Sequence, residues 1–224
     1  METSDYSLDR MAQADRYNDW LLDRARPYLG ARVLEIGAGI GTFTPHLAED
    51  REVVAVEPDP RLVPHLRDRA PAGVTVVEGE VADAPPVPYD SAICFNVLEH
   101  IPDHAAALTS FRDRLRPGGH LLLLVPAHPF LYGPMDRAFE HERRYAKRGL
   151  GSLLHETGYE VVELRLVNPV GALGWLVTGR VLRRDEIPTG PLAAYDRLVP
   201  LFRLLDRIEL PWGLSLWAVA RRPA

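Results

Sequence analysis

The stretch VLEIGAGIGTF, Val33 to Phe43, constrains the chain most. A run of apolar residues, two of them branched at Cβ, leads straight into glycines at alternate positions, Gly37, Gly39 and Gly41. Branched side chains favour extended backbone. Glycine reaches left-handed conformations at little cost and lets a backbone approach a ligand closely. The stretch therefore reads as a strand and a tight turn, with a helix over residues 42–50. The unit then recurs. Strands are expected at RVLEIG, EVVAVE, GVTVVEG, YDSAICFNVL, HLLLLVPA, YEVVELRLV and LSLWAVARR. Helices are expected at DRMAQADRYNDWLLDRARPYLG, DPRLVPHLRDRA, HAAALTSFRDRLRPGG and GLGSLLHETG. In the first of these, Met11, Ala14, Tyr17, Leu21 and Ala25 share helical spacing, and Gly30 ends it. Alternation from residue 31 to about 167 predicts an α/β fold, a parallel sheet with helices on both faces.

The glycine turn favours an adenosine-containing ligand. Glu57 closes the next strand, 20 residues beyond Gly37, where a carboxylate meets a ribose diol. Two details select among such ligands. The glycine spacing is not that of a dinucleotide fingerprint, which places two residues before the last glycine. Glu35, two residues before Gly37, would repel a pyrophosphate. It suits a ligand with an amine and a sulfonium, and S-adenosylmethionine carries both and no phosphate.

Charge and cysteine content narrow the partners. With 26 Lys and Arg against 31 Asp and Glu, the formal charge is -5, which argues against nucleic acid as a partner. Cys94 is the sole cysteine, so no disulfide or thiolate cluster forms within one chain. The polar opening METSDYSLDRMAQADRYNDW lacks a signal-peptide core. No apolar run reaches the roughly 20 residues of a membrane span. A cytoplasmic protein without a transmembrane segment is expected, as monomer or homodimer.

VLEIGAGIG, Glu57, VVEGEVAD, YDSAICFNVLEHI and LRPGGHLLLLVP follow one another in order. In this the chain resembles the class I S-adenosylmethionine-dependent methyltransferases, over roughly residues 10–167 and the last strand. The resemblance implies a Rossmann-like, seven-stranded, mostly parallel sheet whose last strand is antiparallel and inserted beside the fifth. It implies that Glu35, Gly37, Ala38 and Gly39 line the methionine side. Glu57 would take the ribose hydroxyls, Pro58 and Asp59 would flank the adenine, and Glu80 and Val81 would meet the adenine edge. Asn96, Val97 and Leu98 would border the methyl group. Tyr17 either closes over the methionine end or packs its helix.

Methyl transfer needs alignment and exclusion of water, with a base only where the acceptor is protonated. His100, in NVLEHI, is a candidate base, or else it orders its loop. The run HPFLYGPMDRAFEHERRY, residues 128–145, follows the fifth strand on the edge where ligands bind in open α/β sheets. It offers His141 as base and Tyr132, Arg144 and Tyr145 as acceptor-binding groups; a helix-start ion network is the alternative. Asp136 and His141 have no recognised zinc spacing, so no metal is expected.

Residues 1–224 read as one domain: an N-terminal helical cap (1–30), a cofactor-binding core (31–167), an apolar helical insertion (168–212) and the last strand (213–224). In the insertion Leu198, Leu201, Phe202, Leu205 and Ile208 share a helical face. That face packs on the domain, covers the substrate, forms a dimer or makes a weak membrane-surface contact. The expected activity is methyl transfer to a small or mid-sized, partly apolar metabolite, O-methylation before N- or C-. The alternative is a non-methylating protein, isomerase- or cyclase-like, that holds the cofactor structurally.

Overall fold

A computed structural model describes residues 14–175, 196–197, 199, 208 and 210–224. All seven expected strands form: β1 (Arg32–Ile36), β2 (Glu52–Glu57), β3 (Thr75–Glu78), β4 (Tyr89–Phe95), β5 (Leu115–Pro126), β6 (Glu160–Val167) and β7 (Ser215–Arg221). They build one sheet in the order β3-β2-β1-β4-β5-β7-β6. The first five run parallel. β7 is antiparallel to both β5 and β6 and lies between them, as the resemblance implies.

Alternation along each strand feeds two apolar layers. Val33, Val53, Ile93, Leu122 and Leu124 face one side of the sheet, where Tyr17, Trp20, Leu21 and Ala25 of α1 (Asp15–Ala25) cover them. Leu34, Val54, Cys94, Leu121 and Leu123 face the other. There they meet Leu108 and Phe111 of α4 (His104–Arg114) and Leu150 and Leu154 of α6 (Lys147–Glu156). Neighbours such as Val33 and Leu34 thus sit in opposite layers, because side chains alternate across a strand. The Asp103 side chain caps α4 by accepting from the Ala106 N–H at 3.0 Å.

Three boundaries differ from expectation. The helix over residues 42–50 shrinks to α2 (Thr44–Leu47), since Gly37, Gly39 and Gly41 all adopt positive φ and Pro45 sits in its first turn. The helix expected from residue 59 starts later, as α3 (Val63–Arg69). PGG is part of β5, not a stop before it. Leu115 already pairs with Tyr89, and a Cβ on Gly119 would lie 3.0 Å from the Asp90 carbonyl oxygen.

Two further short helices among the described residues are α5 (Pro134–Ala138) and α7 (Pro169–Trp175). Most of the expected insertion, including Leu198, Leu201, Phe202 and Leu205, lies outside the described residues, as does Met11. Ile208 is exposed. Among the described residues no helix is long and apolar enough to cross a membrane.

Candidate active site

The carboxyl ends of β1, β2 and β4 converge on one edge of the sheet. A Cβ on Gly37 would lie 2.5 Å from Val97 Cγ2, so the glycine loop is seated against the segment after β4. Gly39 differs. Its φ is also positive, at 58°, but a Cβ there would meet nothing within 4 Å. The loop turns a bare backbone toward open space.

Two buried carboxyls flank that space. Glu57 Oε2 accepts from the Gly39 N–H at 2.7 Å, and Oε1 from the Asp59 N–H at 2.9 Å. Each oxygen keeps a further lone pair for a ligand hydroxyl. Burial raises the Glu57 pKa, and the two N–H groups partly offset it. Glu35 accepts from the Thr44 hydroxyl at 2.6 Å. Burial raises its pKa to about 8.

The other expected cofactor residues are distributed as follows. Ala38 is buried and donates to the Val56 carbonyl at 2.9 Å. Pro58 and Glu80 are exposed, and the Glu80 N–H is held by Asp83 at 2.8 Å. Val81 packs into the core. Asn96 is exposed at φ 54°, and its N–H reaches the Leu124 carbonyl at 2.8 Å. Tyr17 is buried, with its hydroxyl bonded to the Asn168 and Ser215 side chains. This is the core position that its helical spacing allows.

The acceptor-side candidates gather beyond β4 and β5. Leu98–His100 forms a 3-10 turn. The loop after β5 returns to it, with the Glu142 N–H donating to the Glu99 carbonyl at 3.0 Å. The His100 and His141 rings meet edge to face, centroids 4.9 Å apart. His141 Nδ1 lies 3.0 Å from Asp136 Oδ1. Lost hydration and the neighbouring His141 lower the His100 pKa to about 4, so that ring is neutral near pH 7.

Sequence reasoning passed over Glu99. It is fully buried beside these rings, and neither carboxyl oxygen has a hydrogen-bond partner among the described residues. Burial raises its pKa to about 8. The signal was its place next to His100 in the turn, but adjacency alone does not show which way a side chain points.

Four further polar residues of the loop are engaged inside the protein, Arg144, Tyr132, Tyr145 and Arg143. Arg144 donates from Nε to Asp136 at 2.6 Å and from Nη1 to the Ala127 carbonyl at 3.1 Å, and it lies 4.5 Å from the Trp175 ring centre. The Tyr132 hydroxyl donates to the His141 carbonyl at 2.7 Å. The buried Tyr145 hydroxyl donates to the Leu98 carbonyl at 3.2 Å and pairs with His104 at 3.0 Å. Arg143 donates to the Ile101 and Pro102 carbonyls. The ion pairs expected as the alternative for this run are present, with Asp136 paired to Arg144 and to His141.

Residues 10–164 match the family described as Methyltransferase domain. The chain belongs to the class I S-adenosylmethionine-dependent methyltransferases. It is 34% identical over 105 residues to the ubiquinone biosynthesis O-methyltransferase of Xylella fastidiosa, which is 43% of this chain and 42% of that one. The match spans less than half of that relative. Among solved structures, phosphoethanolamine N-methyltransferase 2 of Haemonchus contortus with bound S-adenosyl-L-methionine has a TM-score of 0.65 at 16% identity, covering 93% of this chain and 52% of that one. The cyclase SpnF has a TM-score of 0.62 at 18% identity, covering 94% and 82%. These two likenesses are of fold alone.

The cleft fits the family's cofactor, S-adenosylmethionine. The space that a Cβ on Gly39 would enter is open, and Glu57 is a fixed carboxyl with unused lone pairs. Glu35 adds an acidic group below the same loop.

Proposed function

We propose that this protein transfers a methyl group from S-adenosylmethionine to a hydroxyl oxygen of a small or mid-sized, partly apolar metabolite. The observation that carries this reading is the pair His100 and His141, 4.9 Å apart beyond the carboxyl ends of β4 and β5. An oxygen acceptor carries a proton that must leave, and an imidazole placed beside the acceptor can receive it. The O-methyltransferase relatives support the same reading.

S-adenosylmethionine supplies a methyl group on a positively charged sulfur, which departs as a neutral thioether. Gly37, Gly39 and Glu57 hold the cofactor, with Glu35 beneath the loop. Asp136 fixes the His141 ring through Nδ1, which leaves Nε2 as the proton acceptor. Tyr132 and Tyr145 brace the loop and the turn that present the two rings. Arg144 anchors Asp136, so its part is positioning.

The test uses labelled cofactor and a panel of hydroxylated molecules with apolar portions. Methylated product and S-adenosylhomocysteine should appear together. His141→Ala should depress turnover and leave S-adenosylhomocysteine binding nearly intact. Rearranged acceptor without S-adenosylhomocysteine would replace methyl transfer by the cyclase-like alternative.

A further inference from the structure

Glu99, His100 and His141 each offer one ligand atom, and the three atoms lie within 4.8 Å of one another. His100 and His141 are 41 residues apart in sequence, so the fold alone assembles the group. We propose that these three side chains form a site for a divalent first-row cation of the zinc class at the acceptor end of the cleft. The proposal rests on the O-methylation reading only for the cation's role, not for its binding.

Three observations carry it. Glu99 is fully buried with both carboxyl oxygens unpartnered among the described residues. A buried carboxyl without a partner is costly, and buried charges in proteins are paired or bind metals. Second, each imidazole is held from behind. His141 Nδ1 is bonded to the buried Asp136 carboxylate, and the Glu140 main chain hydrogen-bonds the His100 ring. A carboxylate or carbonyl behind a histidine is the usual support of a metal ligand, because it fixes the tautomer and orients the other nitrogen. Third, the charges permit a cation. Arg144 is paired with Asp136 at 2.6 Å and also acts on Glu99, so two carboxyls stand against that one guanidinium.

The donor set selects the ion class. Two imidazoles and one carboxylate suit zinc and its neighbours, whereas calcium and magnesium prefer all-oxygen sites. Three protein ligands leave a position open, as catalytic zinc sites do. An acceptor hydroxyl entering that position would lose its proton to water more readily. Its O–H bond breaks, a new oxygen–carbon bond forms to the methyl group, and the carbon–sulfur bond breaks. With the cation bound, the hydroxyl proton leaves directly to water and His100 and His141 serve as ligands; the proton-acceptor role of His141 belongs to the cation-free protein.

The experiment titrates Zn2+ by calorimetry into the full chain after chelator treatment, with no acceptor present. About one equivalent should bind, and Glu99→Gln and His100→Ala should each weaken binding about tenfold or more. His155→Ala, on the exposed side of α6, should bind as the wild type does. Retained S-adenosylhomocysteine binding certifies that the variants fold. Co2+ added to the wild type should give the absorption of a four- or five-coordinate site, a readout that needs no variant. Absence of saturable Zn2+ binding overturns the proposal. So does an affinity unchanged in both folded variants, or a Co2+ spectrum like that of the hydrated ion. The O-methylation reading fails separately, if no acceptor is methylated with or without Zn2+.

Discussion

The Gly39 N–H donates to Glu57 Oε2 at 2.7 Å, tying the glycine loop after β1 to the end of β2. One carboxylate thus shapes the loop and faces the open space beside it. Glu57→Ala should weaken S-adenosylhomocysteine binding by about 1–3 kcal/mol, the usual cost of losing hydrogen bonds to a charged group. Calorimetry measures it, with circular dichroism as the control for folding. An unchanged dissociation constant in a folded variant would remove Glu57 from the site.

Gly37 and Gly39 should fail differently when replaced by alanine. Both have positive φ, which costs roughly 1–2 kcal/mol for a residue with a Cβ. At Gly37 the new methyl also collides with Val97 at 2.5 Å. Gly37→Ala should lower the melting temperature more than Gly39→Ala does. Gly39→Ala should remain folded and lose cofactor binding, because its methyl enters the open cleft. Normal cofactor affinity in Gly39→Ala would mean that this space is not the cofactor's.

Glu35 gives the ligand-free protein a pH signature. Burial holds its pKa at about 8 in the folded state, against roughly 4.3 for a free glutamate. The folded chain therefore keeps a proton that the unfolded chain gives up between those values. Its stabilising contribution is full below the lower value and is lost as pH rises through the upper one. Melting temperature should fall between about pH 5.5 and about pH 8.5, and fall less in Glu35→Gln. Glu99 titrates in the same window, so the informative quantity is the difference between the two proteins. Identical slopes would show that Glu35 is ionised throughout.

Arg144 should be revealed by stability before activity. Its guanidinium lies against Asp136, and both side chains are buried. Removing one partner of such a pair strands the other, at about 3–5 kcal/mol. Arg144→Ala should lose that much in urea unfolding, and the double variant Arg144→Met with Asp136→Asn should regain part of it. An Arg144→Ala chain as stable as the wild type would return the residue to direct acceptor binding.

The proposed cofactor half of the site was legible because its signals are local. Glycines at alternate positions after an apolar strand, then Glu57 at the next strand end, record the backbone geometry of one strand–turn–helix unit. The acceptor half was legible only as a set of residue types. HERRY showed a histidine and two arginines, but nothing local showed that Arg144 turns inward to Asp136 while His141 meets His100.

By itself, the sequence determined the strands, their two apolar faces and the glycine loop, because these follow from periodicity and backbone preference within a few residues. The tertiary structure decided that β7 lies between β5 and β6, that Glu99 is buried with no hydrogen-bond partner among the described residues, and that its carboxyl lies within 4.8 Å of a ring nitrogen of each of two histidines. Those outcomes depend on which distant segments pack together. Packing is set by the summed burial and hydrogen bonding of the whole chain, and no short window of sequence contains it.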